Sequence, residues 1–222
     1  MTENRFFEID RDLCIEAAEP LFEQMAHISG NEMMHQEAYQ VLDVIKADLN
    51  PRATCSIYDA FRISERKLSI GRRVLPGDQD IICRAFEQIK QESVDRVCAY
   101  ALTAGAYKLE SDRILAQFYA DLWGTAVTEA AKRMMLAEVG QDKRLSECFG
   151  PGLFGMDLTE MKKMPMFCDF EKVGLEVSSS CYLLPEKSIA GLFFLVNDSY
   201  KPLDGKCEQC KGNVFSCRLC LA

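Results

Sequence analysis

From Ser111 to about Val139 the chain carries an apolar stripe that suits a single long helix. Ile114, Phe118, Leu122, Ala126, Ala130 and Met134 recur every fourth residue, and Leu115, Tyr119, Trp123, Val127, Ala131 and Met135 recur beside them. At 3.6 residues per turn this makes one wide apolar face along about seven turns. Ser111 is the expected N-cap, with Asp112 near the positive end of the helix. A face that wide belongs against a core, so Trp123 and the adjacent methionines are read as packing and not as a cofactor groove. The rest of the chain has to supply the surface this helix covers.

The remaining segments offer both helices and strands. Residues 11 to 48 show apolar positions three and four apart, such as Ala38, Val41, Leu42 and Ile45, with a break at Gly30-Asn31. After Asn50-Pro51 the pattern turns β-branched, in ATCSIYDAFRIS and KLSIGRRVL, up to a turn at Pro76-Gly77-Asp78. Helix is expected again from Ile81 to Ile89, an apolar strand in DRVCAYALTAGA, and strands in KVGLEVSSS and SIAGLFFLV. Helices first and a β-rich C-terminal part predict an α+β fold built on a twisted antiparallel sheet with flanking helices. A chain of 222 residues, 48% hydrophobic and 27% charged, is large enough to bury such a core. The expected division is a domain over residues 1–200 and a small metal-binding tail over residues 201–222.

A net charge of −8, with no dense Lys/Arg block, opposes a phosphate backbone and argues against nucleic acid as a partner. No apolar run approaches the roughly 18 residues of a membrane helix, and the opening MTENRFFEIDRDLC does not resemble a signal peptide, so a cytoplasmic location is expected. His27 and His35 read as surface or capped histidines. No Ser/His/Asp or Cys/His arrangement, P-loop or dinucleotide fingerprint stands out.

Eleven cysteines is a high count, but Cys14, Cys55, Cys83, Cys98, Cys148, Cys168 and Cys181 occur singly and read as small buried hydrophobes in a reducing compartment. CEQCKGNVFSCRLC is different. Cys207 and Cys210, then Cys217 and Cys220, form two Cys-x2-Cys pairs, and each pair bends the chain so that both thiolates face one ion. Lys206, Lys211 and Arg218 would lower the thiol pKa values and offset the anionic cluster. Four thiolates suit zinc or an iron–sulfur cluster, and the short gap between the pairs leaves both open.

Three stretches, taken in order, resemble the activation (reactivation) domain of cobalamin (vitamin B12)-dependent methionine synthases, here as a stand-alone member with a four-cysteine C-terminus. They are ALTAGA followed by ADLWGTAVTEAAKRM, with Asp121 and, two turns on, Glu129; CFGPGLFGMDLTEMKKM, similar to the family's glycine-proline-glycine loop; and LLPEKSIAGLFFLV, similar to its Pro-x-x-Ser-x-x-Gly strand at Pro185, Ser188 and Gly191. They span roughly residues 97 to 196. The resemblance implies an S-adenosylmethionine groove lined by Cys148, Gly150, Pro151, Gly152, Leu153 and Phe154 of the loop, by Asp121 and Glu129, and by Pro185 and Ser188. It also implies a partner, a corrinoid-binding protein or methyltransferase whose cobalt is reduced by an electron and trapped by methyl transfer from the sulfonium. No cobalamin-binding Asp-x-His-x-x-Gly signature occurs in this chain.

One departure from the pattern matters. The family's Arg-x-x-x-Gly-Tyr falls on Cys148, Gly152 and Leu153, so the glycine is kept while the arginine and tyrosine are replaced. Losing a bidentate partner for a buried carboxylate costs on the order of a few kcal/mol. Lys187 and Arg144 are candidate replacement charges but read as solvated surface residues. Two functions follow: an accessory protein assisting reductive reactivation of a corrinoid protein with S-adenosylmethionine, or a non-catalytic binding module of the same fold with a structural zinc tail.

Overall fold

A computed structural model of the chain describes residues 2–28, 30–71, 80–141 and 143–203. In order these form β1 (Thr2–Glu8), α1 (Arg11–Ala26), α2 (Glu32–Ile45), β2 (Arg52–Tyr58), β3 (Phe61–Ser64), β4 (Lys67–Ile70), β5 (Ile81–Ile82), β6 (Val94–Thr103), α3 (Ile114–Val139), β7 (Arg144–Leu145), β8 (Glu176–Val177), β9 (Leu183–Leu184) and β10 (Ser188–Val196), with short 3-10 segments between. A five-stranded sheet in the order β1-β2-β6-β10-β7 organises them, and every pairing in it is antiparallel.

The two central strands are buried on both faces, which is why they read as continuous apolar runs rather than alternating ones. On β6, Cys98, Tyr100 and Leu102 face the helices, while Val97, Ala99 and Ala101 face a second core. On β10, Phe193 and Leu195 share the first face, and Leu192, Phe194 and Val196 the second. The helices α1, α2 and α3 cover the first face. The second is covered by the small β3-β4-β5 sheet and by 3-10 segments at Arg84–Gln88, Leu158–Met166 and Glu171–Val173.

Trp123 joins the three helices. Its ring stacks on Phe22 of α1 at 3.8 Å between centroids and meets Tyr39 of α2 edge-on at 5.3 Å. Its indole N–H donates to the Ala38 carbonyl at 3.0 Å. The helix starts are set locally, since the Asp10 carboxylate accepts from the Leu13 amide and the Asn31 side chain from the Met34 amide, each satisfying a donor left free in the first turn.

Four expectations are corrected. Residues 81–89 form β5 and one 3-10 turn, because Ile81 pairs with Leu68 and the segment is spent covering the second core. Ser111 is not the N-cap of α3. Arg113 holds that position with extended backbone, and the Ser111 hydroxyl accepts from its amide. The first turn of the stripe is not buried either: Ile114 is 85% exposed and Phe118 48%, since the sheet lies only under the later turns. KVGLEVSSS contributes only β8, because Val173 sits in a 3-10 turn ended by Gly174 in the left-handed region. The expected turn at residues 76–78 and the four-cysteine tail lie outside the described residues. Among the described residues no helix is long and apolar enough to cross a membrane.

Truncating Trp123 to alanine removes the stack and the indole hydrogen bond together, and is expected to cost about 3–5 kcal/mol, read as a lower urea midpoint at unchanged slope. Burial pushes the Cys14 thiol up to about 12 and the Cys83 thiol up to about 11, from an ordinary 9.0. A raised pKa favours the protonated thiol in the folded chain, so this stabilisation is intact below pH 9 and is lost as the pH climbs through 11 to 12. Melting temperatures measured across pH should therefore hold between pH about 7 and 9 and fall beyond it.

Candidate functional site

The residues expected to line a groove lie at two places along β10: beside its start at Ser188, and where the loop after Cys148 meets Leu192. Antiparallel pairing fixes Ser188 opposite Thr103. The Ser188 hydroxyl donates to the Pro185 carbonyl at 2.6 Å and lies 2.9 Å from the Thr103 hydroxyl oxygen, which itself accepts from the Gly105 amide at 3.0 Å. The Ala104 amide donates to the Lys187 carbonyl at 2.8 Å. Ser188 is therefore a tie between the Pro185 turn and the Thr103-Ala104-Gly105 turn.

Between those two turns and α3 lies a cleft of about 390 Å³. Tyr107 and Leu109 form one wall, Leu184 and Pro185 another, and Asp121 and Lys187 supply its charges. The Lys187 ammonium pairs with the Asp121 carboxylate at 2.6 Å and donates to the Thr125 hydroxyl at 3.1 Å. Asp121 is too exposed for this pair to add much stability; its effect is to hold the ammonium over the cleft. The Tyr107 hydroxyl donates to the Ala120 carbonyl at 2.8 Å, and burial first, then the charges of Asp121 and Glu186, raises its pKa. Tyr107 and the Lys187 stem can approach α3 because Gly124 is there: a Cβ at Gly124 would overlap the Tyr107 hydroxyl and come within 2.7 Å of the Lys187 Cγ. The cleft joins an ion pair to apolar walls, an arrangement suited to a ligand that carries charge at one end and apolar surface at the other.

Further along β10, Phe149 bridges Leu192 with two backbone hydrogen bonds of 2.7 Å. Gly150 lies over Ala190, and Gly191 lets the Phe149 carbonyl approach so closely that a Cβ there would collide with it. The loop and the strand are thus in contact. Gly152 has φ +89°, and its amide donates to the Met156 carbonyl at 2.9 Å, while the Leu153 amide donates to Gly150 at 2.9 Å. Phe154 turns inward against Phe149, with centroids 5.1 Å apart, and its carbonyl accepts from the Ala85 amide. Leu153 is exposed and Pro151 half-buried.

Cys148 forms a second cluster with Tyr100, Glu129 and Lys132. Glu129 and Lys132 pair at 2.5 Å. Burial raises the Cys148 thiol pKa; the Lys132 charge and the Tyr100 hydroxyl oppose it. A thiol held protonated in this way is a poor nucleophile at neutral pH. Asp121, Pro185 and Ser188 therefore gather at the cleft, and Cys148, Glu129 and the loop form a separate group three to four β10 residues away, about 10–13 Å. Of the two replacement charges considered, Lys187 is in the cleft, whereas Arg144 pairs with Val196 at the far end of β10 and with Asp198 at 3.3 Å. Sequence reasoning missed Tyr107, Thr125 and the placement of Lys187; only the small-residue turn before α3 hinted that something packs against that helix.

No family model matches this chain, and no curated protein does. Among solved structures it is similar to one described as the MetH reactivation domain bound to AdoHcy, with a TM-score of 0.61 over 90% of this chain and 80% of that one, at 16% sequence identity. At that identity the likeness is one of fold: an antiparallel sheet with helices.

Gly124→Ala tests how the cleft is held. The new methyl must displace Tyr107 and Lys187, whereas the helix itself gains about 1 kcal/mol of propensity. The Tyr107 hydroxyl should lose its bond to the Ala120 carbonyl and its burial, so its pKa should fall back toward the ordinary 10.0 in a spectrophotometric titration while the melting temperature stays nearly constant.

Proposed function

We propose that this protein is an accessory factor in corrinoid-dependent methyl transfer, assisting the reductive reactivation of a corrinoid protein with an S-adenosyl ligand in the groove between α3, β10 and the Cys148–Met156 loop. The observation that carries this reading is the juxtaposition along β10: Pro185, Ser188 and Asp121 meet at one end, and the glycine-proline-glycine loop lies against Ala190 to Leu192 at the other. The likeness in fold to a reactivation domain crystallised with AdoHcy supports the same ligand class. In that chemistry one electron reduces the corrinoid's cobalt, and the sulfonium methyl passes to it, releasing S-adenosylhomocysteine. This chain's part is to bind and orient the methyl donor. Asp121, and Glu129 with Lys132, offer charges of both signs for an amino-acid end, and Tyr107, Leu109 and Pro185 offer apolar surface. The reacting corrinoid belongs to a partner protein.

A second reading has its own support. The Gly152 and Leu153 amides are spent inside the loop and Phe154 is spent in the core, so much of the loop serves its own fold. With Cys148 in the arginine position, these features favour a binding module of the same fold that has lost the methyl donor.

Calorimetric titration of S-adenosylmethionine into anaerobically purified protein separates the two. Micromolar binding that is lost in Gly152→Val and weakened about tenfold, or 1.4 kcal/mol, in Asp121→Ala supports the first reading, provided both variants melt cooperatively. No heat at millimolar ligand would leave the binding module.

A further inference from the structure

We infer that the cleft is a subsite for the zwitterionic end of an α-amino acid, with Lys187 taking the carboxylate and Asp121 the ammonium. The inference deepens the methyl-donor reading and rests on it for the rest of the ligand.

Lys187 is not a freely swinging surface lysine. Its backbone carbonyl accepts from the Ala104 amide at 2.8 Å, its stem passes Gly124 where any Cβ would touch it, and its side chain is only 20% exposed. At the far end the ammonium is fixed twice over, by the Asp121 carboxylate at 2.6 Å and the Thr125 hydroxyl at 3.1 Å. Thr125 is an acceptor in that contact, because its hydroxyl donates to the Asp121 carbonyl at 2.9 Å. Holding a long side chain in one conformation costs rotamer entropy, and a pair with a carboxylate 59% exposed returns little of it. What the order achieves is a positive charge held at one point of the cleft wall.

Both charges keep capacity for a ligand. An ammonium has three N–H donors, and among the described residues Asp121 and Thr125 take two. A carboxylate has two oxygens, and Lys187 engages only Oδ1 of Asp121. A fixed cation beside a fixed anion is the reverse image of an amino acid's carboxylate and ammonium, which stand on one carbon. A simple anion or cation would match one of the two and be repelled by the other. Tyr107, Leu109, Leu184 and Pro185 then supply apolar surface for the part of the ligand that follows. At about 390 Å³ the cleft is near the lower end of ligand sites, which run from about 300 to 1,000 Å³, so it suits one end of a larger molecule. Glu186 also lines it and leaves the lining one formal negative charge. That favours a ligand with one positive charge beyond its zwitterion, as a sulfonium provides.

Calorimetric titration of the full chain with S-adenosylmethionine and with its decarboxylated form, which keeps the sulfonium and the amine, tests the assignment. The decarboxylated ligand should bind the unmodified protein about 10- to 100-fold more weakly, the range for a charge-assisted hydrogen bond. Lys187→Met, which keeps an unbranched stem, should weaken S-adenosylmethionine by a similar factor and leave the decarboxylated ligand unchanged, which also shows that the variant is folded. Asp121→Asn should weaken both and spare 5′-deoxy-5′-methylthioadenosine, which lacks the amino-acid end. Equal affinity of the two donors for the unmodified protein overturns the inference while the methyl-donor reading stands, and this comparison needs no variant. In variants that melt cooperatively, loss of both donors alike in Lys187→Met, or of neither in Asp121→Asn, overturns it as well. No heat from either donor at millimolar concentration overturns the inference and the methyl-donor reading together.

Discussion

Val97 to Thr103 of β6 and Ala190 to Val196 of β10 are buried without interruption, so these two strands have no face they can turn to water. Their backbone groups are satisfied through the ladders to β2 and to each other and, on the outer side of β10, through β7, Ser146 and Phe149, and their side chains need a core on each side. That double demand sets the architecture. One face takes α3, which comes close because Ala120, Gly124, Ala126, Ala130 and Ala131 present little bulk. The other face takes whatever chain is left, in short strands and 3-10 turns that carry Phe86, Phe149, Phe154 and Met164 inward. The cleft opens beside the start of β10, between α3 and the Pro185 turn.

The parts legible in the sequence are those whose periodicity is enforced locally. α3, the break between α1 and α2, and the apolar runs of β6 and β10 all follow from spacing alone. The second layer was not legible because it is held by distant backbone pairs, such as Cys83 with Met156 and the Ala85 amide on the Phe154 carbonyl. Residues 81–89 look helical in isolation, and only the docking of Ile81 on Leu68 and of Phe86 on Phe149 makes them otherwise. Asp121 and Pro185, named from the resemblance, line the cleft. Lys187 reads as an ordinary surface lysine, and nothing in its spacing announces a hydrogen bond to Thr125, 62 residues away.

The glycine-proline-glycine loop illustrates how one motif can serve two ends. Gly152, Phe154 and Gly155 all adopt positive φ, and the turns they make are closed by the loop's own hydrogen bonds. The glycines thus have a folding role before any ligand arrives. A motif of this type marks a backbone path, and the side chains beside it decide what the path is used for. Beside it stand the part-buried Cys148 thiol and the buried Tyr100 phenol, and the nearby charges come from Glu129 and Lys132 of the helix.

The stacked indole of Trp123 has one last consequence. It is the only tryptophan in the chain, fully buried between α1 and α2 and therefore confined to the helical layer. Its ultraviolet emission should be blue-shifted in the native protein and should report the integrity of that layer alone. Events in the irregular layer on the opposite side of the sheet would pass optically unseen, so separate loss of the two halves would be mistaken for a single transition unless a second chromophore were watched.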